Sequence, residues 1–365
     1  MSIKVNKSVY NSKPYKLTTQ KAWLESDKSK VMKLDWNEST IPPSPKVISS
    51  LQDLVKNGLI NWYPNIQNSE LVEKLSKYCN VKSHNVQYFN GSDAIHESIF
   101  KTFSDNNDIL TIVGPTYDHP RSVAECFGLS IDFFYLTKDF DFNKNDFKNY
   151  MINTNPTLVY ICNPNNPVGN IYSNELLSEL LSEFPDSLFI IDEAYQEFYG
   201  LSCVELINKF PNLIVTRTFS KAFGLASLRL GYCISSKENI SLINKFRNPK
   251  SINLFAQVAA IAAMDDLDYT KKYVSEVLEG KEMFINYIDS NLSKYITPVN
   301  GFGNFILFKL SKKFSPSDFM NFLEKRKIYI RNYSHIKNLE NHLRATIGNK
   351  AQTEYLISAF EEYFS

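Results

Sequence analysis

One lysine, Lys221, lies in an apolar, small-residue setting: Thr218-Phe219-Ser220-Lys221-Ala222-Phe223-Gly224-Leu225-Ala226-Ser227-Leu228-Arg229. Desolvation between Phe219 and Phe223, together with the like charge of Arg229, disfavours its ammonium form. Such a lysine is a nucleophilic amine near neutral pH. Thr218, Ser220 and Arg229 add two hydroxyl donors and a planar charged fork, a set suited to gripping a phosphate beside that amine. A second anion pocket is written in Phe89-Asn90-Gly91-Ser92-Asp93, where a strand, a glycine turn and a helix start leave free backbone N–H groups facing one point. An amine beside a phosphate grip suggests pyridoxal phosphate.

The elements that must position these residues alternate along the chain. Apolar runs at 108–114, 130–135, 157–162, 187–191, 213–216 and 230–235 are separated by segments of helical periodicity, among them 94–103, 121–127 and 174–183. Short unbroken apolar strands between helices predict a mostly parallel sheet covered on both faces, an α/β fold of three layers. Ligands of such sheets lie beyond the carboxyl ends of the strands, which is where the polar clusters fall. Residues 1–40 read as an extended, lysine-rich arm ending in a strand over 31–36, and Pro45 marks the first turn of a helix beginning near Ser44. An alanine-rich buried helix spans 254–264. A long charged helix, 269–292, leads into strands at 305–310, 328–330 and 342–347, with helices over 318–325 and 352–364. The expected division is an N-terminal arm with part of a small domain (1–40), a large domain (41–270) and a small α+β domain (271–365). Gly301-Phe302-Gly303 lacks the third glycine and following helix of a dinucleotide fingerprint, and reads as the turn into a strand.

The totals exclude several function classes. The chain has 365 residues, is 43% hydrophobic and carries a net charge of +1, so it offers no basic field for nucleic acid. The N-terminus has no apolar core of a signal peptide, and no stretch reaches 18 consecutive apolar residues, so a cytoplasmic protein without a membrane anchor is expected. Five scattered cysteines form no C-x-x-C pair, and five histidines show no H-E-x-x-H spacing. Disulfides, a metal centre and a hydrolase triad are not expected.

Five motifs occur in a fixed order: Gly91-Ser92-Asp93, Pro115-Thr116-Tyr117, Asn163-Pro164-Asn165-Asn166-Pro167-Val168-Gly169, Asp192-Glu193-Ala194-Tyr195 and Ser220-Lys221. With them the chain resembles the fold-type I pyridoxal-phosphate aminotransferases of class I/II, and within these the histidinol-phosphate aminotransferase branch, over nearly its whole length. The resemblance implies that Lys221 is the Schiff-base lysine and proton carrier. It implies that Asp192 pairs with the pyridine nitrogen, that Tyr195 and Asn166 donate to the ring 3′ oxygen, and that Tyr117 stacks on the ring. Gly91, Ser92, Asp93, Thr218, Ser220 and Arg229 would hold the phosphate. Tyr63, in Trp62-Tyr63-Pro64, matches a tyrosine that reaches the neighbouring subunit's cofactor, which implies a homodimer with shared active sites.

For substrate, the resemblance points to Arg344 as the carboxylate-binding arginine, Arg331 as a second arginine near a substrate phosphate, and Tyr15 and Asn37 beside them. It implies transamination between a phosphorylated or otherwise anionic amine, with L-histidinol phosphate the leading choice, and 2-oxoglutarate. The same pocket serves threonine-phosphate decarboxylases, and that alternative stays open, as does an aminotransferase for another amino acid in a specialised biosynthetic pathway. The branch's N-E-N-P-Y-G stretch is replaced here by Asn37-Glu38-Ser39-Thr40-Ile41-Pro42-Pro43, in a loop that faces substrate.

Overall fold

In the computed structural model, which describes residues 3–15 and 20–365, the apolar runs become the strands of one seven-stranded sheet. After a two-residue strand β1 (Met32–Lys33) come β2 (Val86–Phe89), β3 (Ile109–Gly114), β4 (Ser130–Tyr135), β5 (Leu158–Cys162), β6 (Leu188–Asp192), β7 (Leu213–Thr218) and β8 (Gly231–Ser235). The order is β2-β8-β7-β6-β5-β3-β4. β8 runs antiparallel to both its neighbours, and the other pairs are parallel. Alternate residues of each strand enter opposite cores: Val159 and Ile161 pack on one face, Leu158, Tyr160 and Cys162 on the other. Helices cover both faces, so the strands read as continuous apolar runs, as the three-layer α/β expectation requires.

Several helices begin where their caps dictate. Ser44 Oγ accepts from Lys46 N, with Pro45 in the first turn of the helix Pro45–Asn57. The helices Asn174–Glu183 and Leu254–Met264 fall at their expected limits. The helix expected over 94–103 starts earlier, at Gly91, whose φ of +81° makes the turn out of β2. The long helix Leu267–Tyr287 ends in a π-helical turn, Ile288–Leu292. The helices Lys144–Thr154 and Lys237–Phe246 were not legible as such. Among the described residues no helix is long and apolar enough to cross a membrane.

The N-terminal arm departs from the extended form expected of it. It folds locally into short helices, Lys7–Asn11 and Lys21–Leu24, the first capped by the Asn6 side chain; residues 1–2 and 16–19 lie outside the described residues. The strand expected over 31–36 shrinks to β1, because the carbonyls that follow are used elsewhere: Asp35 O accepts from Arg344 and Trp36 O from Lys221.

A second sheet is antiparallel, with order β12-β13-β10-β9 from β9 (Ile296–Val299), β10 (Phe305–Leu310), β12 (Arg331–Asn332) and β13 (His342–Thr346). The remaining strand, β11 (Ile328–Tyr329), pairs with β1. This sheet has its own core around Phe284, Phe308, Phe319 and Phe360. The Gly301–Gly303 turn leads into β10 and is clasped by Lys281, whose Nζ donates to the Gly301 and Gly303 carbonyls. The turn also seats the second sheet on the first: Phe302 N donates to Gly169 O at 2.7 Å, and a Cβ on Gly169 would stand 2.8 Å from that nitrogen.

Gly231 sets how closely the helix Gly91–Phe103 approaches β7. A Cβ there would lie 2.8 Å from Ser92 N and 2.9 Å from Arg217 O, both backbone atoms. Gly231→Ala is therefore expected to cost about 1–3 kcal/mol by overpacking and to weaken anion binding at that helix start. Urea unfolding and phosphate titration check both; a variant as stable as the parent would contradict the packing.

Candidate active site

The parallel register Cys162↔Asp192↔Thr216 aligns the carboxyl ends of β5, β6 and β7. Asp192 thus ends its strand beside the 163–169 loop and the Thr218–Lys221 segment. Its buried carboxylate accepts from the Tyr160 hydroxyl at 2.7 Å and from Ala194 N at 3.1 Å. Tyr160 was not singled out in the sequence, since an aromatic in an apolar run reads as core.

The phosphate-type pocket forms at the start of the helix Gly91–Phe103. Asn90 makes no side-chain cap bond, so the first N–H groups are not taken by a cap. Thr218 Oγ1 and Ser220 Oγ lie 3.0 Å apart, and Ser220 N donates to Thr218 Oγ1. Arg229, at φ +55°, folds over Gly91, where a Cβ would meet its guanidinium at 2.7 Å. Asp93 accepts from Arg229 at 3.1 Å and from the Tyr117 hydroxyl at 3.2 Å. The Asp93 side chain therefore orients the guanidinium, leaving its backbone N–H for an anion.

Lys221 donates from Nζ to Trp36 O at 2.9 Å and stands 5.8 Å from the centre of the Tyr195 ring. Burial, and then the neighbouring Arg344 charge, lower its pKa to about 8. Tyr195, buried, accepts at its hydroxyl from Asn37 Nδ2 at 3.0 Å. Burial raises the Tyr195 pKa, opposed by Arg344 and the Asn37 bond. Asn37 itself is fully buried at φ +54°, a conformation asparagine tolerates.

Arg344 is 1% exposed, and all its hydrogen-bond acceptors are neutral: Asn166 Oδ1 at 2.5 Å, the Tyr333 hydroxyl at 2.8 Å and Asp35 O at 2.5 Å. Its Nε has no partner among the described residues. Arg331 stands directly opposite Arg344 in the β12–β13 register and 5.3 Å from the Tyr333 ring centre. Tyr15 reaches Arg331 through its hydroxyl and packs edge-on against Tyr117 and His119. His119 stacks on Tyr117.

The expected site residues thus converge, with one exception. Tyr63 is 80% exposed, with Lys250 over its ring, and lies among exposed Leu59, Ile60, Trp62 and Ile66. Residues that the sequence did not mark are Tyr160, Tyr333, His96, His119 and the Trp36 carbonyl. The donor set fits pyridoxal phosphate: uncapped helix N–H groups, two hydroxyls and a guanidinium for a phosphate, a buried carboxylate for a ring nitrogen, and an amine of lowered pKa between them.

An amine attacks an aldehyde only when neutral, so capture of pyridoxal phosphate by the apo protein should speed up with pH through about 8 and then level off. Arg344→Gln, which removes the strongest like charge on Lys221, should move that midpoint upward. Stopped-flow absorbance measures both; a midpoint in the ordinary lysine range for the parent protein would contradict the burial of Lys221.

A family model described as aminotransferase class I and II matches residues 29–360. The dihydroxyacetone phosphate transaminase of Campylobacter jejuni is 41% identical over 368 residues, covering 99% of this chain and 97% of that protein. The histidinol-phosphate aminotransferase of Caldanaerobacter subterraneus is 32% identical over 333 residues, covering 91% of this chain and 93% of that protein. The structure of histidinol-phosphate aminotransferase from Sinorhizobium meliloti in complex with pyridoxal-5'-phosphate superposes with a TM-score of 0.80 at 22% identity, over 91% of this chain and 90% of that one. The fold, the converging donor set and these matches together mean that the chain belongs to the class I and II aminotransferases, enzymes that depend on pyridoxal phosphate.

Proposed function

We propose that this aminotransferase moves an amino group between glutamate and a small phosphorylated ketone, with dihydroxyacetone phosphate as the preferred acceptor. The carrying observation is Arg344, a buried guanidinium bonded only to neutral acceptors, with Arg331 opposite it and Lys221 beside it. Cations withdrawn from water without a carboxylate call for an anion from outside. The 41% identical transaminase, matched end to end, supports the three-carbon phosphate. The 32% identical relatives support histidinol phosphate as a second reading.

The two readings share most of their chemistry. Each compound has an amine- or oxo-bearing carbon next to a phosphorylated methylene, and they differ in the third substituent: hydroxymethyl or imidazolylmethyl. The phosphate and amine residues can serve both. The pocket for the third substituent then decides, and its 37–43 loop has lost the N-E-N-P-Y-G pattern.

Pyridoxal phosphate, when bound, supplies the electron-withdrawing ring that acidifies the substrate Cα–H. Lys221 would hold it and, once released, carry the proton to and from Cα. Asp192 would keep the ring nitrogen protonated. Tyr195 and Asn166 would donate to the 3′ oxygen, and Tyr117 would lie against the ring. Gly91, Ser92, Asp93, Thr218, Ser220 and Arg229 would grip the phosphate. Arg344 would take the glutamate α-carboxylate as a bidentate fork, with Arg331, Tyr15 and Asn37 completing the substrate side. The exposed 59–66 segment would form a homodimer in which Tyr63 reaches the partner's cofactor. A cytoplasmic enzyme, with an arm and small domain around the second sheet and a large domain around the first, completes the reading; its five thiols are free.

The loaded enzyme should lose its visible cofactor band on adding 2-amino-1,3-propanediol phosphate or glutamate, and more slowly or not at all with histidinol phosphate. Faster conversion by histidinol phosphate would reverse the order of the two readings, and carbon dioxide release without an oxo acid would sink both. Lys221→Ala should slow the half-reaction by more than about a thousandfold. The parent should sediment as a dimer, and Tyr63→Phe should weaken cofactor retention without dissociating it; a monomeric active enzyme would refute the shared site.

A further inference from the structure

His96 lies on the helix Gly91–Phe103 with its ring completely buried, and neither ring nitrogen has a hydrogen-bond partner among the described residues. Buried polar groups in folded proteins are nearly always paired, and one left unpaired is costly. A leucine or phenylalanine would fill this space without that cost, so an imidazole here calls for a reason. Its surroundings supply one. Nε2 stands 3.8 Å from Asp192 Oδ2, the same oxygen that accepts from Tyr160. The ring sits edge-on to Tyr160 and stacked on Phe100, which fixes the direction in which the nitrogens point. Asp192, Tyr160, Asp93 and His119 are the titratable groups facing it, and its ring lies within 4.8 Å of the Asp93 and His119 ligand atoms. Asp93, His96 and His119 match a cation site by residue type, but Asp93 already carries the Arg229 guanidinium and the Tyr117 hydroxyl.

We infer that His96 is a positioning residue for Asp192, with its Nε2–H directed at Oδ2 so that the carboxylate would not draw the proton off the cofactor's ring nitrogen. The inference rests on the proposed pairing of Asp192 with that nitrogen. Each further hydrogen bond to a carboxylate makes it a weaker base. Tyr160 supplies one from the sheet, and His96, at 3.8 Å, offers a second N–H from the helix that also begins the phosphate cradle. Burial lowers the His96 pKa, which keeps the ring neutral with a single N–H to give. The same helix would thus offer its N–H groups to a cofactor phosphate and, one turn on, a side chain to Asp192. His96 never touches substrate.

Three enzymes loaded with pyridoxal phosphate labelled with 15N at the ring nitrogen distinguish the possibilities: the parent, His96→Leu and His96→Gln. The parent signal should lie in the protonated range. His96→Leu should shift it toward the unprotonated range, and should slow the half-reaction with glutamate about tenfold. His96→Gln keeps an N–H donor and should recover most of both. A His96→Leu enzyme with the parent's nitrogen signal overturns the inference, and so does equal damage by Leu and Gln, which would mark a packing role. Should His96→Leu fail to fold, the His96 ring N–H resonance of the parent holoenzyme serves instead: it should move on Asp192→Asn, and indifference to that change overturns the inference. If Asp192→Asn leaves the cofactor's nitrogen signal unaltered, the Asp192 pairing itself is wrong; if it alters that signal while His96→Leu does not, only the role of His96 falls.

Discussion

Three cations converge on one site. Lys221, Arg331 and Arg344 converge with no carboxylate bonded to either Lys221 or Arg344, although like charges directly opposite one another in a sheet repel and Arg331 faces Arg344 across β12 and β13. The uncapped helix start adds further positive potential. Such a site is costly empty and favourable around anions, which is the condition for holding a phosphorylated cofactor and an anionic substrate together. The depressed pKa of Lys221 follows first from its burial and then from the neighbouring Arg344 charge.

Holding that charge without neutralising it requires a frame of neutral acceptors, and the frame draws on distant parts of the chain. Trp36 and Asp35 offer backbone carbonyls from the segment after β1; Asn166 comes from the loop after β5, and Tyr333 from the segment after β12. Thr346 fixes the turn at Asn37 by accepting from its N–H, and Asn304 holds the Asn37 carbonyl. Charge that cannot be shared locally is thus spread over both sheets, and the close Gly169–Phe302 contact keeps the two in register. Two carboxylates each organise another cation: Asp93 aims Arg229, and Glu193 pairs with buried Arg217.

Much of this was readable from local pattern. The α/β sheet followed from unbroken apolar runs, the helix at Pro45 from its cap and proline, and the polar clusters from their places after strands. The N-terminal arm was misjudged because short helices capped by a single asparagine leave little periodicity. The helices at Lys144–Thr154 and Lys237–Phe246 escaped notice for a related reason: only Phe147 and Met151 are buried in the first, and Asn239, Ile240 and Ile243 in the second. Tyr160 and His96 were hidden by being core residues in location and polar only in their tips.

By itself the sequence determined the candidate amine, the candidate anion-binding donors and their order along the chain, because each is a local matter: residue type, a glycine turn, a strand end. Tertiary structure decided which of these groups meet without compensation. Nothing within a few residues of Arg344 says that its acceptors will all be neutral, or that Arg331 will oppose it. Nor does the neighbourhood of His96 in the chain announce that both ring nitrogens will be buried beside Asp192, 96 residues away. Electrostatic cost depends on distance and burial in space, and neither is written in any window of sequence shorter than the fold.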